Sequence, residues 1–175
     1  MKTSLLSIAI FMLALLAVSC QPQPVALTDA QKAAIADSAK AVVQDAFTGA
    51  QKLSGAAFIH PYSSDPDVRY VENGVLFPSL DSVKASGESF YGMLESLTNP
   101  IDAFDVVVLG PQAAVVTAPF HFSAKTKAGK EVKGEGVYSA VVQLRAGQWQ
   151  IVQSHESELN LADVMTAMAP PKPRK

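Results

Sequence analysis

The side chains able to do chemistry in this 175-residue chain are few and scattered. Its three histidines, His60, His121 and His155, lie far apart, and its single cysteine, Cys20, closes the first apolar run. That pattern offers no zinc spacing, so no metal is expected. The sequence has no Gly-rich phosphate loop, no Gly-x-Ser-x-Gly elbow and no dinucleotide fingerprint, so no cofactor is expected either. What remains is a loose polar set: Asp45, Tyr70, His121, Tyr138, His155 and Glu156. Within it, His155 or His121 could serve as a general base, with Tyr70 or Asp45 orienting the substrate or the imidazole. These candidates are separated rather than gathered as a titratable pair.

The elements that must position them begin with Gly134 to Ser157, which reads as a long antiparallel hairpin. Valines, Tyr138 and Leu144 fill one arm and Trp149, Ile151 and Val152 the other, side chains suited to a half-buried pleated surface. Ala146-Gly147 between the arms supplies the turn. In the second arm Trp149, Ile151, Gln153, His155 and Ser157 share one face, and Gln150, Val152, Ser154 and Glu156 the other. The first face puts Trp149 and Ile151 in the core and grades to polar at His155, as an ordinary strand running from the core out to solvent would, or a core opening into a pocket mouth. A one-residue slip would exchange the two faces.

Upstream, Thr28 with Gln31 forms a capping box, and Ile35, Ala39, Val42, Val43, Ala46 and Ala50 recur at helical spacing as one apolar stripe. Val68 and Tyr70 alternate ahead of a turn at Glu72-Asn73-Gly74, followed by Val75 to Phe77. Ser79 caps a helix expected to run to about Leu97, with Leu80, Val83, Gly87, Phe90, Leu94 and Leu97 as its buried stripe. Gly87 on that stripe costs roughly 1 kcal/mol of helix propensity. Either backbones pack closely there or a cavity needs the room. Strands are expected over 103–109 and 113–124, with His121 on the face opposite Phe120 and Phe122. Lys125, Lys127, Lys130 and Lys133 then mark a solvated hairpin tip.

The segment G-V-Y-S-A-V-V-Q-L-R-A-G-Q-W-Q-I-V-Q-S-H-E-S resembles the closing hairpin of nuclear transport factor 2-like domains, the SnoaL-like group, and 65–79 is a second sharp match. The resemblance covers roughly residues 28–158. It implies an α+β fold in which a curved antiparallel sheet wraps round helices in a cone, a cystatin-like α+β roll. It further implies an aromatic pointing inward at Tyr70 and pairing of two copies as a homodimer. No single activity follows, because that fold hosts isomerases, dehydratases, hydrolases and plain binding modules. The leading expectation is a binding or accessory module for a small hydrophobic ligand, its apolar pocket formed near Tyr70, Gly87 and His155. The alternative is a small-molecule isomerase, dehydratase or hydrolase with His155 or His121 as base.

The first 19 residues read as an export signal: Lys2, an apolar run too short to span a membrane, then A-V-S-C. Cys20 is then the lipid attachment site of a bacterial lipoprotein, and Gln21 after it resembles the signal for the outer membrane, facing the periplasm. Residues 20–27 form a stiff Pro-containing tether, 28–158 the domain, and 159–175 a tail disordered towards A-P-P-K-P-R-K. The lone thiol leaves no disulfide, so stability must come from a core that the 49% hydrophobic composition can fill. A net charge of -2 makes the chain a poor nucleic-acid binder. Changing Cys20→Ser is expected to move the protein from membrane to soluble fractions, and continued membrane association would refute the lipid anchor.

Overall fold

The computed structural model describes residues 26–159 and 161–168. The export segment, Cys20, most of the tether and the basic end of the chain lie outside the described residues. The capping box forms as the sequence dictates: Thr28 Oγ1 accepts from the Gln31 amide at 3.2 Å, and the Thr28 amide donates to Gln31 Oε1 at 2.9 Å. It opens α1 (Asp29–Gln51), which is followed by a short α2 (Gly55–Ile59). The hairpin β1 (Arg69–Glu72) and β2 (Val75–Phe77) comes next, then α3 (Leu80–Tyr91) and β3 (Leu94–Thr98). Strands β4 (Asp105–Gly110), β5 (Ala113–Thr126), β6 (Glu131–Arg145) and β7 (Gln148–Glu158) complete the sheet. Helix α4 (Leu161–Met168) follows, in a stretch for which the sequence indicated only a tail.

The seven strands run in the order β2-β1-β7-β6-β5-β3, with β4 also paired to β5. This is the expected curved α+β architecture with one addition: β1 pairs parallel to β7, so the sheet is mixed. The two tight hairpins carry the required left-handed residues, Asn73 and Gly74 at φ 48° and 83°, Ala146 and Gly147 at φ 49° and 80°. Helix α1 lies on the inner face of the sheet and buries Ala39, Val43, Ala46, Phe47 and Ala50. Phe47 meets Phe120 and Tyr138 edge-on, with ring centroids 5.3 and 5.4 Å apart.

Two expectations need correction, and both fail for the same reason. The helix from Ser79 ends at Tyr91, and Leu94 and Leu97 belong to β3 instead. The pairing of β3 with β5 is shifted between Leu94 and Ser96, a bulge. One extra residue puts side chains three apart on one face of a strand, which is also the spacing of a helical stripe. In β7 the pairing to β6 jumps from Val142↔Ile151 to Val141↔Gln153 and leaves Val152 as the extra residue. Ile151 therefore points inward and is fully buried, but beyond the bulge the inward positions are Ser154, Glu156 and Glu158. His155 faces out and is exposed.

The same segment explains why β1 enters where it does. Pro61 accepts from the Ile151 amide at 3.0 Å and the Ser63 amide donates to Ile151 at 2.9 Å, so 61–63 already runs beside β7. The chain loops out past the bulge and returns as β1, with Arg145 clamping the loop through Asp65 and Ser63. Trp149 lies partly buried at the edge of the core rather than within it. Ile151→Ala is expected to cost about 2–5 kcal/mol, and Trp149→Ala less, since part of its ring already meets solvent. Urea denaturation of the two variants checks the ranking, and a larger loss for Trp149→Ala would contradict this core.

Candidate functional site

Helices α1, α2 and α3 close over the inner face of the sheet without filling it. Between them, with Val164 and Met165 of α4 also on its wall, lies a cavity of 470 Å³ that opens to solvent. Its shape depends on close backbone contact between helices. A side chain at Gly55 would place Cβ 2.4 Å from the Lys84 carbonyl oxygen, and one at Gly87 would lie 3.2 Å from Gly55 Cα. Gly87 thus serves both purposes the sequence left open, since it permits the α2–α3 approach and lines the cavity.

Most of the wall is apolar and includes six phenylalanines, Phe47, Phe58, Phe77, Phe90, Phe120 and Phe122. The polar groups gather where β1 and β7 run parallel. That pairing sets Tyr70 opposite Ser154 and Glu72 opposite Glu156, while Tyr138 of β6 pairs with Glu156 from the other side. Tyr70 Oη donates to Glu156 Oε2 at 3.2 Å. Glu158 is held by Asn73, whose Oδ1 accepts from the Glu158 amide at 2.9 Å and whose Nδ2 donates to its carboxylate at 3.5 Å. Beneath these groups Tyr62 Oη bonds Tyr138 Oη at 2.7 Å and Ser154 Oγ at 2.8 Å, a fully buried network.

The electrostatics follow from that geometry. Glu156 is pushed up to about 8, first by burial, then by the charges of Glu72 and Glu158, with the Tyr70 hydrogen bond opposing. Burial also raises Glu72 and Glu158; the charge of Glu158 adds to the shift of Glu72, and Asn73 eases that of Glu158. Tyr62, Tyr70, Tyr91 and Tyr138 are raised by burial as well and remain neutral phenols. On another part of the wall Asn99 is buried, and its Oδ1 has no hydrogen-bond partner.

Of the polar set taken from the sequence, the fold brings together Tyr70, Tyr138 and Glu156. Tyr70 and Gly87 line the cavity, whereas His155 stands on the outer face of the sheet, displaced by the bulge at Val152. His121 also faces outward, where its Nδ1 meets Asp102 Oδ1 at 2.6 Å, and Asp45 is exposed beside His60 at 3.5 Å. Sequence reasoning missed Glu72, Glu158 and Asn99 as cavity residues. The first two carried a signal in the period-two pairs Tyr70-x-Glu72 and Glu156-x-Glu158, which put carboxylates on one face of a strand. Among the described residues no group of three or more His, Cys, Asp or Glu side chains converges as a metal site.

No protein-family model matches the sequence, nor does any curated relative. Solved structures do. The chain is similar to a nuclear transport factor 2 superfamily protein from Salmonella enterica serovar Typhimurium at 21% identity and TM-score 0.60, covering 75% of this chain and 92% of that one. A hexachlorocyclohexane dehydrochlorinase, LinA-type3, from Novosphingobium barchaimii matches at 9% identity and TM-score 0.65, over 75% and 91% of the two chains. A protein with a cystatin-like fold from Caulobacter vibrioides matches at 16% identity and TM-score 0.59, over 74% and 93%. The chain therefore has the nuclear transport factor 2-like fold. That likeness fixes architecture and leaves activity to the site.

A glutamate whose native value lies above its unfolded one binds extra protons in the folded state between about pH 4.5 and 8. Stability must therefore fall as pH rises through that window and level off above it. Glu156→Gln keeps an acceptor for Tyr70 and removes the titration. The variant is expected to resist urea better than the parent at pH 9, with the advantage vanishing at pH 4.5. An equal effect at both values would show that Glu156 titrates normally.

Proposed function

We propose that this chain is a small-molecule binding module whose site is the interior cavity, carried on a bacterial membrane through lipidated Cys20. The observation that supports the binding reading is the cavity itself. Its 470 Å³ lies within the range of ordinary ligand sites, and its walls combine a large apolar area with a few gathered polar groups. A ligand would bury its body against Phe47, Phe58, Phe120 and Phe122 and take its orientation from Glu156, Tyr70 or Asn99. The alternative of a proton-transfer enzyme using His155 or His121 as base finds no support in the geometry, because both rings lie outside the cavity.

The neutral fluorescent probe N-phenyl-1-naphthylamine tests this reading on the full-length Cys20→Ser chain, which carries no lipid of its own. Saturable enhancement of its emission is expected. Ala50 is buried in the cavity wall, so Ala50→Leu grows into the space and is expected to weaken the probe by about tenfold, the equivalent of roughly 1.4 kcal/mol. Probe binding that is undiminished in Ala50→Leu would place it on the surface instead.

A further inference from the structure

Three carboxylates face this apolar cavity, and among the described residues no cation faces them. Glu72, Glu156 and Glu158 all line it, yet none of its described lining residues is Lys, Arg or His. The side chains that face Glu156 from the packed elements are Glu72 and Tyr70 of β1, Glu158 of β7, Tyr138 of β6, Tyr91 of α3 and Tyr62 ahead of β1. All are acidic or neutral. The three are half-buried, and the hydrogen bonds to Glu156 and Glu158 come from the neutral groups Tyr70 and Asn73, so gathering three carboxylates on one apolar space is costly. Asn99 lines another part of the same wall and is 8% exposed, with its amide oxygen unpartnered but buried out of contact with the space itself.

An ionised carboxylate only accepts hydrogen bonds, so three of them on one wall select an occupant that brings donors. We propose that the cavity takes a small organic amine, its protonated head against Glu156 with Glu72 and Glu158 adding negative charge nearby, and its apolar body among the phenylalanines. This rests on the binding reading above and names the class of ligand. An ammonium group offers three donors and a full positive charge, against one donor and no charge for an alcohol. An anion would meet only like charge. A bare divalent ion does not suit the three carboxylates, which fail to converge on one point. Because burial holds Glu156 at about 8, Glu156 must release its proton to solvent when an ammonium binds, so binding strengthens as pH rises towards 8 and then levels off.

Titration calorimetry on the full-length Cys20→Ser chain with 4-phenylbutylamine and its uncharged counterpart 4-phenylbutan-1-ol tests this. At pH 8 the amine is expected to bind about tenfold tighter or better, by the added charge-assisted hydrogen bonds. Its affinity should fall several-fold at pH 6 while that of the alcohol stays constant, and Glu156→Gln should reduce its preference over the alcohol. Equal affinities at pH 8 would overturn the amine while leaving the cavity as a binding site. Absence of binding by both compounds would overturn both readings. An amine preference that persists undiminished in the Glu72→Gln, Glu156→Gln, Glu158→Gln triple variant would put the ammonium elsewhere and overturn the assignment.

Discussion

The parallel pairing of β1 with β7 carries Glu72 and Glu156 to matched positions of the sheet and turns both towards an apolar interior. Neighbouring like charges in a poorly solvated space repel strongly, since the same separation that is nearly harmless in water costs several times more at low effective dielectric. The protein limits this cost in two ways. Tyr70 donates to Glu156 and Asn73 to Glu158, so these two carboxylates each keep a neutral donor. The remainder is met by protonation, which is why Glu156 is held near 8.

Such an arrangement holds its geometry only if the strands beneath it cannot shift. The Tyr62, Tyr138 and Ser154 hydroxyls provide that rigidity, because they link the segment before β1 to β6 and β7 through bonds made out of contact with water. Losing the central Tyr62 hydroxyl would remove a partner from both Tyr138 and Ser154, a penalty of roughly 1–3 kcal/mol per group left unsatisfied. On the opposite side the helices approach closely only because Gly55 and Gly87 lack side chains. Both layers are thus fixed by local chemistry, and the cavity between them is a consequence of how they meet.

Much of this was legible in the residues. The capping box at Thr28, the α1 stripe and the turns at Asn73-Gly74 and Ala146-Gly147 each follow from a local rule that the fold obeys, and the inward Tyr70 is what the family resemblance implies. The polar half of the site was less legible, because its register depends on a bulge. Strict alternation along β7 assigns His155 to the face of Ile151. A single extra residue at Val152 reverses that assignment and substitutes Glu156. In β3 another bulge lets Leu94 and Leu97 imitate a helix. Bulges are set by pairing with distant strands, so local periodicity carries no trace of them. The parallel β1–β7 contact, which assembles the carboxylates, is likewise a long-range event.

The acidic wall also indicates how stability and use are divided in this molecule. Core residues such as Ile151, Tyr138 and Val43 are fully buried in apolar contact and favour the fold wherever the pH lies. Glu156 works in the opposite direction, since its ionised form opposes folding in proportion to the shift that burial imposes. Its one hydrogen-bonding partner, Tyr70, could be satisfied as well by an uncharged amide. A carboxylate in that position is therefore not explained by packing or by hydrogen bonding within the chain. Protonation relieves its cost below about pH 8, and above that the proposed ammonium ligand would do so.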